Sequence, residues 1–484
     1  MPADIILTGT WLPSDSDTGS HRLLPFDVPA GTTRIDVRYS VEPLEGAARP
    51  QLDIGLFDPA GTSFLDPSGF RGWTGSFRPA FSVSGADSTP GYLRGPIFAG
   101  TWHLLIGADH AMLAPAGLRY FIEIGLQAQW SGRAASIPAE EWQPYEPYQP
   151  GVARTESAWY KGNLHSHTFY SDGRDSIDAM ADEHLRLRLH FGALTEHNIL
   201  NPDLAKGHRP DFIWLPSEEV TTYRGHLNAW GLSRWLDFRC TTDNDLQQVI
   251  DAAHAQGALT SVNHPKDDGP PWDYSIYAEC MEVWQAPWFL GNYQSLALWD
   301  SLLRQGRQIV AVGGSDLHRI STPADPYPYN LDNPTTWVHA PDLSIHSILE
   351  GIRRGHVFIS RDASGPQIHL TAENPSDPES LMAGDTVQLP PEGGLTVRAR
   401  VTGGSGFLLR LVTQSGVVHT GPILTNDFDL DYLWTEAGAQ ASNTPTYIRA
   451  EVIRDMGPEV DVENDPSALW IEAMSNPIYA MRNT

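Results

Sequence analysis

The chain has 484 residues, of which 41% are apolar and only 19% are charged, and it contains 16 Trp, 16 Tyr and 16 Phe. This composition excludes a disordered chain, and the length exceeds what one hydrophobic core usually carries, so we expect two or three domains. The formal net charge of -27, without a local basic patch, argues against a nucleic-acid partner.

Only Cys240 and Cys280 are present, too few for a disulfide framework, and each is interpreted as a buried free thiol. Residues 1–8 have no basic region and no long apolar core, so they do not resemble a signal peptide, and no stretch is apolar enough to span a membrane. We therefore expect a cytoplasmic protein that acts on a small molecule, without a membrane partner; self-association into a homo-oligomer is left open.

Residues 1–130 are predicted to form an N-terminal β-sandwich, because short segments of alternating apolar and polar residues are separated by Gly-, Pro-, Asp- and Ser-rich turns. Phe70, Trp73, Phe77 and Phe81 have two interpretations there, as a loop that covers the neighbouring domain or as sandwich core. Residues 131–155 are rich in Pro and Glu and are predicted to be a linker.

Strands and helices alternate over residues 156–364, which predicts a parallel barrel or an open sheet. Asp175 or Ser176 is the predicted N-cap of one helix, and Thr242 is that of another, with a capping-box-like Asp245. Two more helices are predicted, and the strands are predicted at 160–167, 191–196, 212–220, 226–232, 258–263, 281–284, 308–313 and 356–360. Polar clusters follow these strands, which favours the barrel, because strand ends meet at one of its faces.

Residues 365–484 return to alternating apolar and polar residues, as in Leu395–Val401, Leu408–Val412 and Tyr447–Val452. One apolar face per strand predicts a small C-terminal β-sandwich.

The stretch Asn163-Leu164-His165-Ser166-His167, followed by Asp172-Gly173, predicts the edge of a metal site. Side chains alternate along a strand, so the two imidazoles are expected on one face, with the Asp172 carboxylate on the turn beyond. A single His-x-His pair is a weak signal. Further clusters strengthen it, namely Thr195-Glu196-His197-Asn198, Glu218-Glu219-Val220-Thr221 with Gly225-His226, Asn263-His264-Pro265, and Gly314-Ser315-Asp316-Leu317-His318.

This ordered set of motifs resembles the PHP (polymerase and histidinol phosphatase) metallohydrolases, and most closely their CehA/McbA-type branch. The phrase Ser475-Asn476-Pro477-Ile478-Tyr479 near the C-terminus adds to the resemblance. The match is strong over 160–360 and loose over 365–480, and it does not include the first 150 residues.

The resemblance implies a distorted seven-stranded β/α barrel, flanked here by the two sandwiches, with two or three divalent ions (Zn, Mn or Fe) at the strand ends. His165, His167 and Asp316 would hold one ion. Glu219 would bridge to a second ion, which His226 and His264 also bind. Asp172, His197 and His318 would hold a third, and Asp172, His197 and Glu219 would take part in catalysis by a metal-bridged hydroxide.

Two positions depart from the family pattern. Glu196 stands where Asp is usual and is expected to hydrogen-bond a ligand, and Ser217 replaces a frequent Gly before the glutamates. Glu218 is predicted on the opposite face of its strand from Glu219, in a structural or solvent-facing position.

The predicted activity is metal-dependent hydrolysis of a small organic substrate, with a phosphoester first and a carbamate, amide or carboxyl ester as the alternative. Three cations, Lys266, Arg319 and Arg361, are placed to bind a phosphate. An aromatic wall would favour a bulky organic group or be core packing; its members are Trp272, Trp284, Trp288, Phe289, Tyr327, Tyr329 and Trp337. A non-catalytic metal-containing binding protein is the competing class, whereas a serine hydrolase is set aside because no Gly-x-Ser-x-Gly segment exists.

Overall fold

The computed structural model describes residues 4–16, 21–46, 49–109, 112–128, 142, 145, 148–267, 270–322, 325, 329–373, 380–389, 394–437, 445–457 and 465–482. Most of the predicted linker and Tyr327 of the predicted aromatic wall lie outside these residues. The chain is a multidomain, mostly β-sheet protein with few helices. None of the helices in the described part is both long and apolar enough to cross a membrane.

The strands up to residue 127 form two four-stranded antiparallel sheets that enclose one apolar core. In chain order the elements are β1 (Ile5–Trp11), α1 (Pro13–Ser16), β2 (His21–Val28), β3 (Arg34–Pro43), β4 (Asp53–Phe57), β5 (Phe70–Gly75), β6 (Ala80–Ser84), β7 (Gly100–Gly107) and β8 (Leu118–Gln127). The sheet orders are β1-β8-β3-β6 and β2-β7-β4-β5. Side chains alternate between less and more exposed along β1 and along most of β8, the period expected of a two-layer sandwich.

The middle of the chain alternates strands and helices as predicted. Its elements are β9 (Ala158–Asn163), α2 (Ile177–Arg186), β10 (Phe191–Ala193), β11 (Ile213–Leu215), β12 (Ser217–Thr222), β13 (Gly225–Trp230), α3 (Asp243–His254), β14 (Leu259–Val262), β15 (Cys280–Gln285), α4 (Asn292–Arg304), β16 (Val310–Gly314), β17 (Thr335–Ala340), α5 (Ile345–Arg353) and β18 (Val357–Ser360). Of the two candidates for the first N-cap, Asp175 and Ser176, the structure has Ser176, whose hydroxyl accepts from the Ala179 amide. Thr242 is confirmed as the other N-cap and forms a reciprocal capping box with Asp245.

Three predicted strands are wrong in their extent. The strand predicted at 191–196 ends at Ala193. The strand predicted to reach His167 ends at Asn163, because the Asn163 side chain hydrogen-bonds both the amide and the carbonyl of His165 and turns the chain. The strand predicted at 212–220 divides at Pro216, which has no amide hydrogen for a ladder. The Pro216 carbonyl instead accepts from the amides of Gly231 and Leu232.

This division places the strands of the middle region in two sheets. The order β12-β13-β14-β15-β16 makes a five-stranded sheet, while β11-β10-β9-β17-β18 belongs to a larger one. Two isolated parallel bridges, Ser166–Leu317 and His197–Glu219, connect segments of the two sheets at the strand ends. Continuous pairing around a seven-stranded barrel, which the resemblance implies, is not seen.

The C-terminal strands form a second two-layer unit, and one of its sheets is the continuation of the central sheet. The elements are β19 (Gln367–Glu373), β20 (Ser380–Met382), β21 (Thr386–Leu389), β22 (Leu395–Thr402), β23 (Leu408–Thr413), β24 (Gly416–Pro422), β25 (Asp427–Trp434), β26 (Thr446–Ile453), β27 (Ile471–Ser475) and β28 (Ile478–Arg482). β18 pairs with β27, so the larger sheet has 11 strands. The Asn476 side chain fixes this junction, since its amide donates to the carbonyls of Ala311 and Val357.

The N-terminal sandwich packs directly on the middle region. Phe70 and Trp235 stack with ring centroids 3.8 Å apart, and Trp73 lies 4.6 Å from Phe238. Phe81 instead stacks on Tyr92 inside the sandwich. Both interpretations of this aromatic segment are therefore correct for part of it.

Candidate metal centre

Histidine and carboxylate side chains from six separate strand ends meet at one place. Their potential ligand atoms form four overlapping groups, each with all atoms within 4.8 Å of one another. The groups are His167, Asp172, His197 and His318; His165, His264 and Asp316; His165, His167 and Glu219; and His197, Glu219 and His226. The structure thus brings together all the residues that the resemblance implies as ligands, although the groups overlap and do not divide them among three ions as the resemblance does.

Glu219 on β12 lies at the centre of this cluster. Its Oε2 is 2.9 Å from His197 Nδ1, and its Oε1 is 3.1 Å from His226 Nδ1 and 3.4 Å from His165 Nε2. The side chain is fully buried, and burial alone would raise the pKa of its carboxyl group. The surrounding imidazoles nevertheless hold that pKa well below its usual value, so Glu219 is a carboxylate.

His165 and Asp316 form one side of the cluster. Asp316 Oδ1 lies 3.2 Å from His165 Nε2 and 2.9 Å from His167 Nε2. Burial disfavours a charged His165, but the carboxylates of Asp316, Glu282 and Glu219 raise its pKa well above the usual value. His167 is also buried, and burial together with its histidine neighbours lowers its pKa to about 3.

Asp172 and His318 form the outer side. His318 Nε2 is 3.2 Å from Asp172 Oδ1, and His197 Nε2 is 3.5 Å from the same oxygen. Burial opposes protonation of His318, yet Asp172 and Asp316 raise its pKa to about 9. The His167 ring centroid lies 4.5 Å from that of His197 and 4.2 Å from that of His318, and the His197 and His318 centroids are 6.0 Å apart.

The backbone is strained at two of these positions. His264 follows β14 with φ +28°, and Asp316 follows β16 with φ +52°, conformations that residues other than glycine rarely adopt. Such strain persists only where surrounding contacts enforce it, and it is concentrated at functional sites. Here it turns both side chains from the strand ends toward His165.

The donor set fits divalent ions. Five of the clustered side chains have a fully buried nitrogen or oxygen without a well-aligned hydrogen bond to any described residue; the atoms are His165 Nε2, His167 Nδ1, Asp172 Oδ1, Glu219 Oε2 and His264 Nδ1. Buried polar atoms normally have partners, so unpaired ones gathered in one place indicate a missing partner of opposite charge. Imidazole nitrogens and carboxylate oxygens are ligands that suit Zn, Mn or Fe.

Several residues that sequence reasoning missed hold the ligands in place. Glu282 Oε1 is 3.0 Å from His165 Nδ1, and its Oε2 accepts from the His264 amide. Asn263 donates to Glu219 Oε1 at 2.9 Å, and Gln285 donates to Asp316 Oδ2 at 2.9 Å. A glutamate within the apolar run Met281-Glu282-Val283-Trp284 was a usable signal, because an acidic side chain inside a buried strand needs a partner.

The two residues that depart from the family pattern, Glu196 and Ser217, both make hydrogen bonds that support nearby segments of the chain. Glu196 does not hydrogen-bond a ligand as expected; it accepts from the amides and hydroxyls of Thr168 and Ser171. The longer side chain thereby holds the turn between His167 and Asp172. The Ser217 hydroxyl donates to the carbonyls of Leu194 and Leu215, linking neighbouring strands.

Glu218 is buried on the opposite face from Glu219, so it is structural and not solvent-facing. Its Oε2 accepts from the Leu236 amide at 3.0 Å. Burial raises the pKa of its carboxyl group well above the usual value.

The three cations predicted for phosphate binding pair with groups outside the metal cluster. Lys266 is buried and donates to the carbonyls of Gln285 and Leu290. Arg319 is about half exposed and pairs with Asp325 at 2.7 Å. Arg361 pairs with Asp362 and Glu472. Their role toward a substrate stays a prediction.

Three of the six described members of the predicted aromatic wall are buried in the core, whereas Phe289 is 57% exposed. Trp284 is fully buried, the Trp288 indole donates to the Leu469 carbonyl, and Trp337 stacks on Phe358 in the C-terminal core. The Tyr329 hydroxyl donates to the carbonyl of Ser315 and so supports the segment that carries Asp316.

A cleft of about 550 Å³ opens beside the cluster, and the N-terminal sandwich supplies one of its walls. Asp172, His197 and His226 line it on the metal side. The sandwich contributes Asp53, Trp73 and Phe77, among others. The resemblance does not include these first residues. One of the two interpretations of the segment with Trp73 and Phe77 places it over the neighbouring domain, and the cleft agrees with that interpretation, whereas no sequence pattern identifies Asp53.

No protein-family model matches the sequence, and no curated protein sequence matches it. Among solved structures, the fold is similar to a two-domain protein from Bacteroides vulgatus that contains a predicted PHP-like metal-dependent phosphoesterase. That match has 17% identity and a TM-score of 0.36, and it covers 63% of this chain and 95% of the other. A protein from Bifidobacterium adolescentis described as a metal-dependent phosphoesterase matches with 15% identity and a TM-score of 0.26, over 36% of this chain and 93% of the other.

Proposed function

We propose that the protein is a metal-dependent hydrolase of the PHP type. The observation that carries the proposal is the buried cluster around Glu219, in which histidines and carboxylates from separate strand ends come within ligand distance of shared points. When bound there, two or three divalent ions would supply Lewis-acid chemistry, acidifying water and offsetting negative charge on the reacting group.

The chain's own residues have definable parts in this function. His165, His167, His264 and Asp316 would hold and position the ions, and Glu219 would bridge them from the centre. Asp172, His197 and His318 are partly exposed and would hold a third ion on the more open side of the cluster. The ring of strands β9, β10, β12, β13, β14, β15 and β16, joined by the two isolated bridges, is consistent with a distorted barrel around this site.

A phosphoester is the first proposal for the bond that is cleaved. Several ions at one site could offset the charge of a phosphate without side-chain cations, so the engagement of Lys266, Arg319 and Arg361 elsewhere does not argue against it. A carbamate, amide or carboxyl ester, as in the CehA/McbA-type branch, is the second candidate. It is favoured because Lys266, Arg319 and Arg361 already pair with other groups, and a neutral substrate group needs no cation.

Turnover of matched chromogenic esters tests the proposal. Metal-loaded protein is given p-nitrophenyl phosphate, bis-p-nitrophenyl phosphate and p-nitrophenyl acetate, each with and without a chelator. We expect chelator-sensitive hydrolysis, fastest on a phosphoester; a fastest rate on the acetate moves the assignment to the second candidate. Hydrolysis that the chelator does not affect refutes the metal-dependent reaction.

A further inference from the structure

The cleft beside the metal cluster has a second polar group that the proposed reaction does not use. Asp53 on β4 lines the cleft from the N-terminal sandwich and is only 8% exposed. The Tyr223 hydroxyl, from the turn between β12 and β13, donates to Asp53 Oδ2 at 2.6 Å. This hydrogen bond joins the two domains across the floor of the cleft.

Asp53 lies close to the metal cluster, with Phe77 next to both. Gly75 has φ +51°, and a side chain there would place a Cβ 3.3 Å from Asp53 Oδ1 and 3.5 Å from Phe77 Cε2. The Asp53 carboxylate and the Phe77 ring therefore border the same small space. The Phe77 ring centroid in turn lies 5.8 Å from that of His197.

Phe77 is an apolar side chain without full burial. It is 45% exposed, although it stands at the entrance to a site of charged and polar groups. Trp73, Pro270 and Pro271 add further apolar lining. An organic group in the cleft would cover this surface, which water covers poorly.

The ionisable side chains that line the cleft indicate which kind of organic group a substrate could place there. Its ionisable lining groups, within the described residues, are the carboxylates of Asp53, Asp109 and Asp172, the phenol of Tyr223, and the imidazoles of His21, His197 and His226; neither lysine nor arginine is among them. An anionic substituent placed away from the ions would meet these carboxylates. A hydroxyl or ammonium group would instead find the acceptor oxygens of Asp53 and Tyr223.

We propose that the N-terminal sandwich is the substrate-recognition wall of this site, and that Asp53 with Tyr223 binds a hydroxyl or amino group on an uncharged or cationic organic part of the substrate. That organic part packs against Phe77 and Trp73. The inference rests on the proposed function for the bond that is broken, but the recognition itself is a binding property.

Binding of three matched aromatic probes tests this inference independently of turnover. The probes are benzylamine, benzyl alcohol and toluene, which share one ring and differ only in the amino or hydroxyl group on the methyl carbon. Calorimetry on the metal-loaded protein gives the three dissociation constants. We expect benzylamine and benzyl alcohol to bind about tenfold more tightly than toluene, as expected for a hydrogen bond to a charged acceptor.

Three variants sharpen the result. Asp53→Asn keeps the side-chain shape and an acceptor for Tyr223, and it should abolish most of the preference for benzylamine over toluene. Phe77→Ala should weaken all three probes alike. Asp27→Asn, a change on exposed β2 of the same sandwich, should change none of them.

The outcomes separate this inference from the proposed function. A preference for benzylamine over toluene that persists in Asp53→Asn, or equal binding of the three probes by the wild type, overturns the proposed recognition wall even if esters are hydrolysed. If Asp53→Asn removes the preference, the proposed recognition wall is supported even if no ester is turned over. The absence of turnover would refute only the proposed hydrolase function.

Discussion

Adjacent Glu219 and Glu218 provide a matched test of the metal centre. Both side chains are fully buried, and both can be replaced by glutamine with almost no change of shape. Glu219 faces the imidazoles of His165, His197 and His226, whereas Glu218 accepts only from the Leu236 amide among the described hydrogen bonds. Only Glu219→Gln should therefore affect metal binding.

The expected loss of metal affinity in Glu219→Gln follows from the central position of this carboxylate. Changes to groups that merely orient a ligand typically cost 10–100-fold in metal affinity, so loss of the central carboxylate should cost at least roughly 100-fold, or about 2.7 kcal/mol. Hydrolysis should fall to background in Glu219→Gln. Glu218→Gln removes a carboxyl group whose pKa burial raises, and it should leave affinity and hydrolysis within about threefold of the wild type.

Competition with a chromogenic chelator measures the affinity, and an ester assay on the same preparations measures turnover. Equal losses in the two variants would mean that the register of β12 is reversed. Full metal binding by Glu219→Gln would refute its central position.

Three further predictions concern groups around the centre. Glu282→Gln should lower metal affinity about 10–100-fold in the same competition assay, because Glu282 contacts His165 Nδ1, and an unchanged affinity would contradict that role. If Lys266, Arg319 or Arg361 binds a phosphate in the transition state, its alanine variant should lower phosphoester kcat/KM about tenfold with little effect on a carboxyl ester, and unaffected phosphoester turnover in all three variants refutes the phosphate role. His184 is buried, and burial lowers its pKa to about 4, so its contribution to stability is present above about pH 6.5 and is lost as the pH falls toward 4. Between about pH 7 and 5 the wild type should thus lose about 2 kcal/mol more than His184→Gln in urea unfolding, and equal losses would contradict the assignment.

The local elements of the fold were largely predictable. The helix starts at Ser176 and Thr242 were identified from capping residues, since these hydrogen bonds involve neighbours in sequence. The two-sheet arrangement was not predicted, because it depends on where the chain goes after Pro216. Pairing of β18 with β27 was also missed, since it joins residues more than a hundred positions apart.

In the site, too, the features set by local sequence patterns were predictable, and those set by long-range packing were not. Motif spacing identified the histidines and carboxylates that the structure brings together. It did not identify Asp53, and contact with the neighbouring domain was only one of two interpretations of Phe77, because the place of both residues in the cleft arises from docking of the N-terminal sandwich. It also placed Glu196 against a ligand, whereas the longer side chain reaches the Thr168–Ser171 turn.

The most direct test of the central claim is the rate of ester hydrolysis as Zn, Mn or Fe is titrated into chelator-treated protein. If the cluster around Glu219 is a hydrolytic centre, the rate should rise from background with added metal and reach its plateau at two or more ions per chain. Stoichiometric binding of ions without any gain in hydrolysis would contradict the claim and would identify the protein as a metal-containing binding protein.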